Sequence, residues 1–135
     1  MKQLVLIITI ITTLMGCDNK IHINAFNKVG VVLKYDSEPT LGNEVCGLMY
    51  TINSNYKIKT AYYDCDINQI KSIDEKANVI NGCKTKLQSE NDTVYLCLTP
   101  GKLGIRHLPN VTLLLIDTNG NFVIADSTSI ILEVK

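Results

Sequence analysis

Residues 111 to 125 have few ways to fold. Val111-Thr-Leu-Leu-Leu-Ile-Asp117 is an apolar, β-prone run, Thr118-Asn119-Gly120-Asn121 is a turn sequence, and Phe122-Val-Ile-Ala125 is a second β-prone run. Asn-Gly between two such runs predicts a hairpin closed by a type I′ turn, whose twist suits right-twisted strands. Residues 113 to 116 are apolar at every position, so the first strand is expected in the centre of a sheet, covered on both faces.

The same punctuation recurs upstream. Residues 21 to 26 alternate apolar and polar with period two, and residues 30 to 35 read as a second strand close enough to form a hairpin with the first. Residues 44 to 51 and 56 to 63 flank Asn53-Ser54-Asn55 and read as an antiparallel hairpin. In the second of these, Tyr56, Ile58, Thr60 and Tyr62 share one face, with Lys57 and Lys59 opposite. Cys83 to Cys97 reads as a further hairpin about residues 89 to 92, and residues 128 to 134 as a closing strand. Residues 103 to 110, with Gly104 and Pro109, read as irregular.

One stretch breaks the period. Asp66 is a good helix N-cap, and Ile67, Ile70, Ile73, Ala77 and Ile80 follow at spacings of three and four before Asn81-Gly82. An amphipathic helix is expected near residues 66 to 80, lying on the sheet. The fold class is therefore mainly β, an antiparallel sandwich-like domain with one short helix.

Five cysteines, Cys17, Cys46, Cys65, Cys83 and Cys97, leave one thiol over if the rest pair. Near the start stand Lys2, an apolar run from Leu4 to Met15, and then Leu14-Met15-Gly16-Cys17. A charged start, a short apolar core and a small residue at its end are the parts of a secretory signal, and the run is too short to span a bilayer. The last four residues resemble the lipobox of bacterial lipoproteins. That resemblance implies cleavage before Cys17, lipid on Cys17 as the first mature residue, and two or three acyl chains holding the protein in a membrane. It implies a signal peptide at 1–16, a lipidated tether at 17–20 and a single β-rich domain at 21–135. An aspartate at position 18 is similar to an inner-membrane retention signal in enteric-type bacteria, with the outer membrane as the alternative; either way the domain faces the periplasm.

With Cys17 consumed, four cysteines remain for two disulfides in an oxidising compartment. Of their three pairings, Cys65 with Cys83 would have to bridge the roughly 20 Å length of the expected helix, so Cys46–Cys65 and Cys83–Cys97 are preferred, each facing across a hairpin turn. Tyr95-Leu96-Cys97 is similar to the Tyr-x-Cys of an immunoglobulin F strand, which would make Cys46 the partner, but no tryptophan lies between them. Asn91-Asp92-Thr93 and Asn110-Val111-Thr112 are glycosylation sequons, which matter only for a eukaryotic or viral secreted glycoprotein.

The chain's 13 basic and 13 acidic residues balance, and no basic stripe exists to bind nucleic acid. His22 and His107 are far apart, no zinc-type CxxC spacing occurs, and Asp66 is better used as a cap than as an acid. Residues 117 to 121 have a calcium-loop flavour, but Thr128 stands where the closing glutamate belongs, so a hairpin turn is expected. No catalytic constellation, metal site or cofactor motif is read. The expectation is a small, non-catalytic cell-envelope lipoprotein that binds another protein, either an accessory factor of an envelope, secretion or pilus system or an immunity, exclusion or inhibitor protein. The alternatives are a lipid or small-ligand carrier using Tyr62 and Tyr63 as cavity wall, and a secreted immunoglobulin-like glycoprotein.

Overall fold

The computed structural model describes residues 21–127 and 130–135; the signal-like segment, Cys17 and the tether lie outside them. The described chain is mainly β, with thirteen short strands, one four-residue α-helix and one 3₁₀ turn. It is built around β11 (Val111–Asp117), every residue of which from Val111 to Leu115 is buried. The strand lies between β12 (Phe122–Asp126) and β4 (Tyr56–Tyr63) in a five-stranded sheet completed by β1 (Ile23–Ala25) and β7 (Thr85–Lys86). Both faces of β11 are covered, as its continuous apolar run requires.

The inner face, carrying Leu113, Leu115, Ile58, Ala61 and Ala125, packs on a four-stranded sheet of β2 (Val31–Tyr35), β3 (Val45–Thr51), β9 (Thr93–Leu98) and β8 (Gln88–Glu90). Met49, Val94 and Leu96 come from that second sheet, and Val29 from helix α1 (Phe26–Val29) closes one end. The outer face, carrying Leu114, Ile124 and Tyr62, is covered by a small hairpin, β5 (Ser72–Asp74) with β6 (Val79–Asn81), through Ile73 and Ile80. Finally, β10 (Gly104–Leu108) pairs antiparallel with β13 (Ile130–Val134) as a two-stranded ribbon.

The sandwich-like β architecture, the two disulfides and the central place of β11 match the sequence reading. Several pairings do not. β1 runs parallel to β12 in the five-stranded sheet, while β2 pairs with β3 in the other, so the expected first hairpin does not form. β3 and β4 also belong to different sheets: residues 52 to 55 carry the chain across the sandwich instead of folding it back. The strand before β9 is divided at Leu87, with β7 joining β4 on one sheet and β8 joining β9 on the other.

The expected amphipathic α-helix does not form at 66–80. Asp66 does cap, accepting from the Asn68 amide at 3.0 Å, but only for the 3₁₀ turn Ile67–Gln69. Asp74 then accepts from the amides of Lys76 and Ala77, Asn78 takes a left-handed φ of 53°, and the chain reverses. Ile73 and Ile80 sit opposite each other across a ladder, so their apparent helical spacing is a by-product of a hairpin. Gly82 ends the excursion, with a φ of +107° and Gln69 O 2.1 Å from where a Cβ would stand, so no other residue fits.

This corrects the disulfides. The bridges are Cys46–Cys97 and Cys65–Cys83. Because 66–82 is a returning hairpin and not a rigid helix, Cys83 comes back to Cys65, with a Cα separation of 4.9 Å. Because β3 lies beside β9, Cys46 is directly opposite Cys97 in the ladder. The Cys46–Cys97 bridge thus joins neighbouring strands of one sheet, unlike the immunoglobulin bridge between sheets.

Candidate functional site

On β4 a bulge falls between the Leu114–Thr60 and Leu115–Ile58 pairs, so Lys59 is the extra residue. Ile58 therefore faces inward while Thr60 and Tyr62 face outward, and the single face expected for all three is split. Tyr63, one residue on, packs against the inner core. Tyr62 and Tyr63 consequently lie on opposite sides of the sheet and line no common cavity. The outward pair instead fastens the β5–β6 flap: the Tyr62 hydroxyl accepts from the Ile80 amide at 3.1 Å, and the Thr60 hydroxyl donates to Asn78 O at 3.0 Å.

At the other end of the outer face sits a buried carboxylate that the sequence reading passed over. Asp126 Oδ1 accepts from Asn110 Nδ2 at 2.7 Å and from the Thr112 hydroxyl at 2.8 Å, and Asn110 Nδ2 also reaches Cys65 O at 3.0 Å. Three chain segments meet there, and these hydrogen bonds hold them together. The same bonds occupy the Asn110 amide nitrogen, to which a glycan would have to attach. Asn91 is exposed in the β8–β9 turn with a φ of 49°.

The groups weighed for chemistry are scattered. His22 is exposed just before β1, His107 is exposed on β10, and Asp64 and Asp66 flank Cys65 at the surface. Among the described residues no three histidine, cysteine or acidic side chains gather closely enough to hold a metal ion. Asp117 is engaged by its own turn, Oδ1 accepting from the amides of Asn119 at 2.9 Å and Asn121 at 2.8 Å. These bonds hold its carboxyl below the usual aspartate range, that from the Asn121 amide being the strongest cause. The turn is a three-residue loop with only Gly120 at positive φ, rather than the expected type I′ turn, which needs two such residues.

The surface that stands out is the β10–β13 ribbon. Its outward side carries Ile105, 65% exposed, and Ile131, 56% exposed, with Leu103 at 59% just before β10. Its inward side buries Leu132 and Val134 and half-buries Arg106 and Leu108. One edge of the ribbon is sealed: the Tyr35 hydroxyl donates to Ile131 O at 3.4 Å, and Lys135 exchanges backbone hydrogen bonds with Pro39 and Leu41. That packing desolvates the Tyr35 phenol and raises it above the usual tyrosine range. The other edge, along β10, takes no backbone hydrogen bond from any described residue. Beside it a groove of about 360 Å³ opens between residues 98–102 and Arg106, Leu108 and Leu132.

Two disulfides are the mark of an oxidising, extracytoplasmic compartment. No helix among the described residues is long and apolar enough to cross a membrane. No protein-family model, curated protein or solved structure matches this chain.

Proposed function

We propose that this is a lipid-anchored protein of the bacterial envelope whose work is to hold another protein through the β10–β13 ribbon. The observation that carries the binding role is the pair of exposed isoleucines on a two-stranded ribbon with one edge unpaired among the described residues: apolar side chains beside an open strand edge are what a docking partner can use. The anchor rests on Lys2, the short apolar run and Leu14-Met15-Gly16-Cys17, with the odd cysteine consumed by lipid and the other four joined as two bridges. Those four cysteines hold no free thiolate, and the buried Asp126 is engaged by Asn110 and Thr112, which favours binding over catalysis.

Two measurements test the reading. Intact mass before and after reduction is expected to report acyl chains on Cys17 and two disulfides; an unmodified polypeptide mass sinks the anchor. Affinity capture from detergent-solubilised envelope is expected to recover a stoichiometric protein with the wild type and to lose it with an Ile105→Ser/Ile131→Ser double variant. Equal recovery by both forms removes the ribbon from the function.

A further inference from the structure

We propose that β10 receives an extended segment of the partner as an added strand, and that an acidic side chain of that segment seats in the groove against Arg106 and Lys102. The inference deepens the protein-binding reading, on which it rests, by naming the chemistry of the partner.

An unpaired strand edge is a template for another strand, and proteins guard such edges with bulges, prolines or a charge on the inward side. Here β10 stays paired in register with β13 from Gly104 to Leu108, and Pro109 comes only after it. The guard is Arg106, the only arginine in the chain, directed inward opposite Leu132. An inward cation rejects an apolar strand and accepts one that brings a carboxylate. The guard is therefore also a selector.

The groove beside Arg106 fits that acceptor. Its lining includes Lys102 and Arg106 and no acidic residue, with Leu98, Pro100, Leu108 and Leu132 as apolar wall. Arg106 Nη2 donates to Leu103 O at 2.7 Å, while its Nε is buried and meets no acceptor among the described residues. A buried donor without a partner is unfavourable, and a carboxylate is the group whose two oxygens match the parallel N–H bonds of a guanidinium. Side chains of an added strand alternate between the ribbon's two sides. One bonded opposite Arg106 would point an acid into the groove and set its neighbours against Ile105 on the outer side. The occupant is thus an alternating acidic and apolar segment.

The full-length protein in detergent micelles, labelled with ¹⁵N-arginine, shows one side-chain Nε–H signal, which belongs to Arg106. The probe is a short, N-acetylated and C-amidated peptide alternating valine and glutamate, compared with its glutamine counterpart. The acidic peptide is expected to shift both the side-chain signal and the backbone amide of Arg106, and to bind about tenfold more tightly or better than the glutamine form, as a charged pair over a neutral one allows. Lys102 is exposed, so Lys102→Glu tests the groove without disturbing packing and is expected to weaken the acidic peptide by a similar factor. Absence of any shift at millimolar acidic peptide, equal binding of the two peptides, or indifference to Lys102→Glu overturns the assignment. In envelope capture, a partner recovered equally by wild type and Lys102→Glu overturns it and leaves the protein-binding reading standing. Recovery of no partner by either form overturns both.

Discussion

The two faces of the five-stranded sheet are covered by very different structures. The inner face meets a whole four-stranded sheet, so Leu113 and Leu115 lie in a core walled on both sides by hydrogen-bonded ladders. The outer face meets a hairpin of two three-residue strands, held by Ile73 and Ile80, two side-chain hydrogen bonds and the Cys65–Cys83 bridge. Two strands alone are marginal in water. The flap therefore takes its stability from the sheet it covers, whereas each of the large sheets contributes to the other. A face can be fully buried without its cover being a structural equal.

The sharpest contrast is between two adjacent, fully buried leucines of β11. Leu113→Ala opens a cavity between two rigid sheets, and Leu114→Ala opens one beneath a small flap that can settle into it. Because the cost of such a change depends on how far the site collapses, losses of about 4 kcal/mol for the first and about 2 kcal/mol for the second are expected from chemical denaturation. Equal losses would mean that the flap is as rigid as the second sheet. The next effect is the staple itself. Replacing Cys65 and Cys83 together by serine removes an 18-residue closure and is expected to cost about 3 kcal/mol. Amide exchange should quicken first in residues 66–82 and leave β3 and β9 protected; loss of protection in both sheets at once would erase the distinction between them. Smaller again is Tyr62→Phe, which strips the acceptor from the buried Ile80 amide. About 1–2 kcal/mol is expected, read as selective loss of flap protection.

How much of this was open to the sequence depends on what each signal encodes. The place of β11 was readable because continuous apolarity at four positions has one meaning in a sheet, burial on both sides. Strand existence was readable for β3, β4 and β9, because β-rich runs between turn clusters leave little choice. Pairing was not, since residues 53 to 55 suit a tight reversal and a crossing between sheets alike. That ambiguity, with Ile67, Ile70, Ile73, Ala77 and Ile80 mimicking a helical stripe, moved both disulfides to the wrong partners. The bulge at Lys59 is invisible to a period of two and reassigned Ile58 and Tyr62 to opposite faces. The candidate site was the least legible part: Gly104 and Pro109 disguised β10 as a loop, and its only warning was that Arg106 is the chain's sole arginine. Asp126 had a fainter signal, an acid ending an otherwise apolar strand.

The turn between β11 and β12 belongs to neither face, which makes it the control for the comparison. Asp117 accepts three hydrogen bonds within that turn, from the amides of Asn119 and Asn121 and from Asn121 Nδ2, and they favour its ionised form. Its carboxyl titrates lower in the folded chain than in the unfolded one. The unfolded state thus binds its proton first on acidification, so the stability Asp117 supplies is fully present above the ordinary aspartate range and is lost as pH falls through the lower folded value. Asp117→Asn keeps the shape and removes the charge. It is expected to lower the melting temperature slightly at neutral pH, with the gap from wild type closing progressively from about pH 5 downward. Since β11 carries both faces, protection should fall equally on the flap side and the sandwich side. A loss confined to the flap would show that the hairpin turn is coupled to the outer cover alone, and that the two faces of β11 are less independent of its ends than their packing implies.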